Sequence, residues 1–274
     1  MAKFSKFPLV SIITPSYNSE KFIEETVVSV LNQDYQNIEY IVIDGRSNDG
    51  TCELLNKYLD KIEFLSEEDK GMYDAVNKGI KLSHGEYILY LNSDDLLMPN
   101  SISNLVKYME QNDNLSMVFS DFYKVNYSGE IIERVFSHQV SFSDLLKYGN
   151  TIFSGSMLIR KRVFNDIGLF NSELKDSADY EYCLRMAKND CIFKHIPLPL
   201  VKFRIHPKQL TNSSWNQWHE ALKVNRDYGG RIYYPVYIRY FFMRFLKLLP
   251  YNITHNRNII PIRKYFRILF KLGH

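Results

Sequence analysis

The chain has 274 residues, 45% of them hydrophobic, which is enough to bury a sizeable core as one large domain or as a domain with a small appendage. Its net charge of +3 hides a division: residues 221–274 hold eleven Lys/Arg and one acid, leaving 23 bases against 30 acids before them. Three cysteines (Cys52, Cys183, Cys191) cannot all pair and show no zinc-site spacing. The N-terminus lacks the apolar core of a signal peptide, and no run reaches the roughly 18 apolar residues of a membrane span, so reduced thiols in the cytoplasm are expected.

In chain order, LVSII (9–13) is a short strand. A helix follows with Phe22, Ile23, Val27, Val30 and Leu31 at helical spacing behind a capping Asn18 or Ser19. IEYIVI (38–43) is a second strand, 51–59 a second helix, IEFL (62–65) a third strand, 71–82 a third helix, and EYILYL (86–91) a fourth strand. Continuous apolar strands joined by helices predict an α/β fold: a Rossmann-like, mostly parallel sheet covered on both faces. In such sheets ligands bind beyond the carboxyl ends of the strands. Every strand here ends in a polar cluster: Pro15-Ser16-Tyr17-Asn18, then DGRSNDGT (44–51), SEEDKG (66–71) and NSDD (92–95). No GxGxxG cradle or GxxxxGK[ST] loop stands after the first strand, which argues against dinucleotide and P-loop chemistry.

Each cluster also has a plainer reading. Tyr17 could be a core aromatic, Asp44 and Asp49 turn formers, Asp69-Lys70-Gly71 a solvated loop. The pair Asp94-Asp95 resists this, because one carboxylate suffices for a cap and Pro99 points to a helix that starts later. Hard oxygen ligands in that number suit Mg²⁺ or Mn²⁺.

The series VSIITPSYNSEKFIEETVVSVLNQDYQNIEYIVIDGRSNDGT and EEDKGMYDAVNKGIKLSHGEYILYLNSDD resembles the nucleotide-sugar-binding half of family 2 inverting glycosyltransferases of the A-type fold, above all the bacterial polysaccharide-assembly enzymes. The likeness spans about residues 8–210. It implies a UDP-sugar or similar donor, a divalent metal (Mn²⁺ or Mg²⁺) and inversion at the anomeric carbon. By the same resemblance, Pro15 and Tyr17 pack on the nucleobase, Asp44 hydrogen-bonds it, and Asp69 and Lys70 reach the base and diphosphate. Asp95 is then the direct metal ligand, Asp94 lies nearer the ribose and metal waters, and His206 reaches the metal or diphosphate. Two departures stand out: Gly45 replaces the second acid of the usual DDGSTDGT, and Asn92 replaces an acid ahead of the metal motif.

The second half is expected to hold acceptor and base. Residues 150–171 read as a loop, a short strand and a small helix ending at Gly168, and resemble the family's segment beside the donor sugar, which implies that place for Ser154 and Gly155. KDSADYEYCLRMAKND (175–190) opens a helix at Asp176, where an acid can simply complement the dipole. Displacement at an anomeric carbon needs a carboxylate to deprotonate the attacking hydroxyl, and the resemblance assigns this to Asp179, with Ala178 in place of the usual Glu.

Domains are expected at 1–214 (donor part about 8–98, acceptor part about 99–214) and 215–274, the latter a basic amphipathic helical extension. Arg239, Arg244 and Lys247 share one side of a helix over 237–249, and Arg263, Lys264, Arg267 and Lys271 one side of another over 262–272. Packing on the domain's own core is the plain reading. Association with anionic lipid at the inner face of the cytoplasmic membrane is preferred, because it brings the enzyme to a glycan or polyprenyl-linked acceptor; nucleic acid suits the charge but not the Phe and Leu. A sugar nucleotidyltransferase would need a glycine- and base-rich loop where TPSYNSE stands. A non-catalytic sugar-binding protein at the membrane would need none of Asp44, Asp95 and Asp179.

Overall fold

The computed structural model describes residues 7–207, 209 and 214–248. Four parallel strands, β1 (Val10–Ser16), β2 (Ile38–Asp44), β3 (Glu63–Ser66) and β4 (Tyr87–Tyr90), are linked by α1 (Ile23–Leu31), α2 (Thr51–Asn56) and α3 (Met72–Leu82). Then come β5 (Leu96–Leu97), α4 (Ser101–Met109), β6 (Leu115–Val125), β7 (Ile131–Val135), α5 (Phe142–Tyr148), a single 3-10 turn at Ser154–Ser156, β8 (Leu158–Arg160), α6 (Lys161–Ile167), α7 (Ala178–Lys188), β9 (Ile192–Arg204), α8 (Ser214–Asp227) and α9 (Pro235–Leu248).

The strands form one mixed sheet in the order β3-β2-β1-β4-β8-β6-β9-β5. β8 is antiparallel to both β4 and β6, which sets β6 parallel to β4, and β6 runs parallel to β9 along almost its whole length. β7 pairs with the distal half of β6 on the side that β8 leaves free.

Alternation along the strands divides the core. Val10 and Ile12, with Tyr40, Val42, Leu89 and Leu91, pack against α1, α2 and α4 on one face. Ile13, Ile88, Tyr90, Met117 and Phe119 pack with α3, α5, α6 and α7 on the other. Val224 of α8 belongs to this second core and Asn225 beside it is wholly buried, so the expected boundary at 214 falls in the sequence but not in the packing.

Only residues 91–95 join β4 to β5, although three strands lie between them. In a flat sheet the four inter-strand gaps span about 19 Å, close to the reach of that link when fully extended. The link instead turns, the Asp95 amide donating to the Asn92 carbonyl at 3.1 Å. The sheet must therefore roll around the Asp94-Asp95 turn, which brings the end of β9 against it.

Gly79 shows how closely a helix lies on this sheet: a Cβ there would stand 2.4 Å from Ile13 Cγ2. Gly79→Ala gains about 1 kcal/mol of helix propensity but overpacks the contact by about 1–3 kcal/mol. We expect a net loss of up to about 2 kcal/mol, read as a lower urea midpoint at unchanged m-value.

Candidate active site

The ends of β1, β2 and β3 are stitched into one rim. The Gly45 amide donates to the Ser16 carbonyl and the Glu67 amide to that of Asp44, both at 2.9 Å. Asn18, expected as a helix cap, has φ +49° and accepts the Asn48 amide at 2.9 Å. The Ser19 amide donates to Thr51 Oγ1 (2.8 Å), and its hydroxyl lies 2.7 Å from that of Ser93. These residues tie three loops together, and α1 opens at Phe22 with no side-chain cap.

Within the rim, Tyr17 is 63% exposed above the buried Pro15, so it is no core aromatic. Asp44 has no exposed surface, and it accepts the Ser47 amide (2.9 Å) and the hydroxyls of Ser47 (2.5 Å) and Ser66 (2.8 Å). The direct nucleobase contact expected of Asp44 requires one of those donors to move; in this arrangement Asp44 holds the loop. Asp69 lies against Gly45, where a Cβ would stand 2.4 Å from its Oδ2. The departure at Gly45 thus makes room for a second acid from another loop. Burial raises the Asp69 carboxyl, against the Gly71 amide that stabilises its charge. Lys78 secures this loop through the Glu68 carbonyl (2.6 Å) and Glu67 (2.9 Å), leaving Lys70 exposed at the rim.

At the end of β4 the two carboxylates face opposite ways. Asp95 is wholly buried, accepting the Arg204 amide on Oδ1 and the Asn92 side-chain amide on Oδ2, each at 3.0 Å. Burial and the adjacent Asp94 push its carboxyl well above the usual range. Asp94 is partly exposed, its Oδ2 2.8 Å from His206 Nε2. The resemblance makes Asp95 the direct metal ligand, but its carboxylate is enclosed and already takes two donors, whereas that of Asp94 reaches the surface. The Asp94–His206 contact is a direct hydrogen bond, so an ion that took both groups as ligands would have to replace the shared proton. Among the described residues no group of three or more His, Cys, Asp or Glu side chains gathers, so this pair leaves most positions of an ion to water and phosphate oxygens.

Arg204 was not anticipated. Its side chain is 1% exposed, and it donates through Nε to the Asp94 carbonyl (3.0 Å), and through its two terminal nitrogens to the Tyr127 carbonyl and Glu25, both at 2.7 Å. The guanidinium also lies 4.7 Å over the Phe22 ring. In VKFR the alternation sets Arg204 on the side of Lys202, opposite Val201 and Phe203, so the sequence carries no signal of its burial.

Asp179 sits in the first turn of α7, on the other face of the sheet. Burial is the main cause that raises its carboxyl to about 6, against the Tyr180 amide donating at 2.8 Å and the Tyr73 hydroxyl. Asn150 Nδ2 lies 3.4 Å from Oδ2. The hydroxyls of Tyr73 on α3 and Tyr90 on β4 are pushed far up by burial and by this carboxylate, which places Asp179 beside the strand that leads to Asp94. Ser154 and Gly155 are buried, and the close approach that Gly155 permits is to Phe153 and Leu91 of the chain itself, not to an open sugar site.

Residues 11–168 match the profile of glycosyl transferase family 2. An uncharacterized glycosyltransferase of Rickettsia typhi is 32% identical over 220 residues, covering 78% of this chain and 69% of its own. One from Haemophilus influenzae is 30% identical over 245 residues, 80% and 73% of the two chains. Among solved structures, S. aureus TarS (residues 1–349) in complex with UDP-GlcNAc superposes with a TM-score of 0.66 at 18% identity, over 92% of this chain and 78% of that one. A Pyrobaculum calidifontis mannosyltransferase in complex with GDP-Man and Mn²⁺ gives 0.63 at 18%, over 80% and 64%. At these identities the structures establish a shared fold, and with the profile and the relatives they show that the chain belongs to glycosyl transferase family 2.

Proposed function

We propose that the chain transfers a sugar, with inversion, from a nucleoside-diphosphate sugar to a hydroxyl of a glycan or polyprenyl-linked acceptor in surface-polysaccharide assembly. A UDP-sugar is the preferred donor. The reading rests on one observation: the Asp94–His206 pair lies by α1, on one face of the sheet's carboxyl edge, and Asp179 lies by α3 and α7 on the other. A single displacement needs that separation, because the hydroxyl attacks opposite the departing diphosphate. The complexes of the two neighbours with UDP-GlcNAc and GDP-Man support a nucleotide-sugar donor.

Roles follow for this chain's residues. Tyr17 stacks on the base over the rim that Pro15 and Asp44 support, and Asp69 and Lys70 close on the base and diphosphate. Asp94 and His206 would hold a divalent ion, which when bound neutralises the leaving diphosphate. Asp179 takes the proton of the attacking hydroxyl, oriented by Asn150, and with a carboxyl at about 6 it is ionised at neutral pH yet more basic than a solvated one.

Asp179→Asn is expected to retain donor affinity and lose transfer, while wild-type turnover rises through about pH 6 to a plateau. Full turnover by the variant would move the base elsewhere. The same shift has a stability consequence. Between the unfolded value near 3.8 and about 6 the folded chain binds more protons, so burial of this acid costs stability that is fully felt above pH 6 and absent below pH 4. Asp179→Asn should accordingly be more stable than wild type at pH 7.5 by up to about 3 kcal/mol and no more stable at pH 4.

For the ion, Asp94→Asn and His206→Ala should each abolish Mn²⁺-dependent UDP-sugar binding in titration calorimetry. Asp95→Asn should retain it at reduced thermal stability. Loss of Mn²⁺ dependence in Asp95→Asn with Asp94→Asn unaffected would restore the opposite order.

The C-terminal helices support a membrane-facing role. α9 buries Val236, Tyr237 and Tyr240 against the domain yet exposes Ile238 and Phe241, each 49%, and Ile232 and Tyr233 are exposed ahead of it beside Arg231 and Arg239. No helix among the described residues is long and apolar enough to cross a membrane, and the second expected helix, 262–272, lies outside them. Exposed aromatic and aliphatic groups among Arg side chains suit an anionic bilayer surface. Ile232→Asp with Phe241→Asp should weaken co-sedimentation with phosphatidylglycerol vesicles at least fivefold at unchanged melting temperature. Undiminished binding would leave α9 a packing element alone.

A further inference from the structure

α8 lies beyond the residues that match the family profile, yet it grips the segment leading into α7. Glu220 Oε1 accepts the Lys175 amide at 2.9 Å and Oε2 the Asp176 amide at 2.7 Å. Ser177 Oγ donates to the Gln217 carbonyl at 3.3 Å. Further along, Asn225 Nδ2 donates to the Tyr180 hydroxyl (2.6 Å), and the Tyr228 hydroxyl donates to Glu181 (2.5 Å). Residues 175, 176, 177 and 180 therefore have a partner on α8 and residue 181 one just past its end, and Asp179 stands within that run.

Two successive amides on one carboxylate fix the direction in which the chain enters α7. Ser177 makes no capping bond, and Glu220 holds the two amides that precede the helix rather than those of its first turn. Only a carboxylate offers an oxygen to each amide, since a glutamine would turn an NH₂ donor toward one of them. A carboxylate adds negative charge beside two further acids, Asp176 and Asp179, both of which it raises in addition to the effect of their burial. The other groups facing Asp179 are Tyr73 from α3, Tyr90 from β4, Asn150 ahead of the 3-10 turn, and Cys183 on its own helix, none of them a cation.

We propose that Glu220 is a positioning residue for transfer: it fixes the turn that presents Asp179 and supplies the negative field in which that carboxylate works. The proposal rests on the reading of Asp179 as the base. It also gives α8 a part in the chemistry that neither its sequence nor the donor rim announces.

The test uses the full chain, labelled with carboxyl-¹³C aspartate and titrated without donor or metal, the Asp179 resonance being assigned by its absence in Asp179→Asn. Glu220→Gln removes the charge together with one of the two acceptor oxygens and should lower the Asp179 midpoint by about half a pH unit. Glu220→Asp keeps the charge but shortens the reach; it should hold the midpoint while the Lys175 and Asp176 amides exchange at least tenfold faster. An unmoved midpoint in a folded Glu220→Gln overturns the proposal, as does an equal fall in both variants, which would mark loosening of the turn alone. Should Glu220→Gln not fold, Glu220→Asp decides: fast exchange with a held midpoint supports the proposal, and unchanged exchange overturns it. These readouts are independent of turnover, so failure of the base assignment itself shows only in the transfer assay of Asp179→Asn.

Discussion

The site hangs on the burial of one guanidinium. Taking an arginine out of water costs several kcal/mol unless its donors find acceptors. Arg204 finds them in the Asp94 carbonyl, the Tyr127 carbonyl and Glu25, with the Phe22 ring beneath. Those partners come from the β4–β5 turn, the β6–β7 turn and α1, while its own amide holds Asp95. Removing any one would strand the charge, a loss of about 3–5 kcal/mol in comparable buried pairs. The Glu25 end is more open, its side chain 55% exposed, so the two carbonyls and the ring are the firmer part of the grip.

This clasp explains why two carboxylates can stand side by side. Asp95 is turned inward and its charge is disfavoured by burial and by its neighbour, though the Arg204 amide and guanidinium and Asn92 partly restore it. Asp94 is left to face outward, and His206, two residues past Arg204, arrives opposite it because the end of β9 is already fixed. Mutual repulsion is thus relieved by a division of environment within the turn itself, before any ion is considered.

What was legible in the sequence follows the range of the interactions involved. β1 to β4 and their helices could be read because each strand is a continuous apolar run with both faces covered, and the convergence of their polar ends follows from parallel pairing alone. The facing of Asp94 and Asp95 could not, because it is decided by Arg204, more than a hundred residues later. Asn18 and Ser19 carry the composition of helix caps, but their partners, Asn48, Thr51 and Ser93, belong to loops that only the folded sheet brings near. Residues 215–241 read as an appendage on charge and composition, whereas Val224, Asn225, Val236 and Tyr240 give α8 and α9 a share in the domain's packing.

The two halves of the site consequently differ in how they are held. Loops at the ends of neighbouring parallel strands build the donor rim, and their hydrogen bonds are short and run largely among themselves, so its geometry is set by the sheet. Asp179 is carried by a helix whose entry is held from outside the sheet, by α8 on one side and by Asn150 and Tyr73 on the other. Changes in α5, α7 and α8 can therefore shift Asp179 without disturbing Asp94, His206 or the rim.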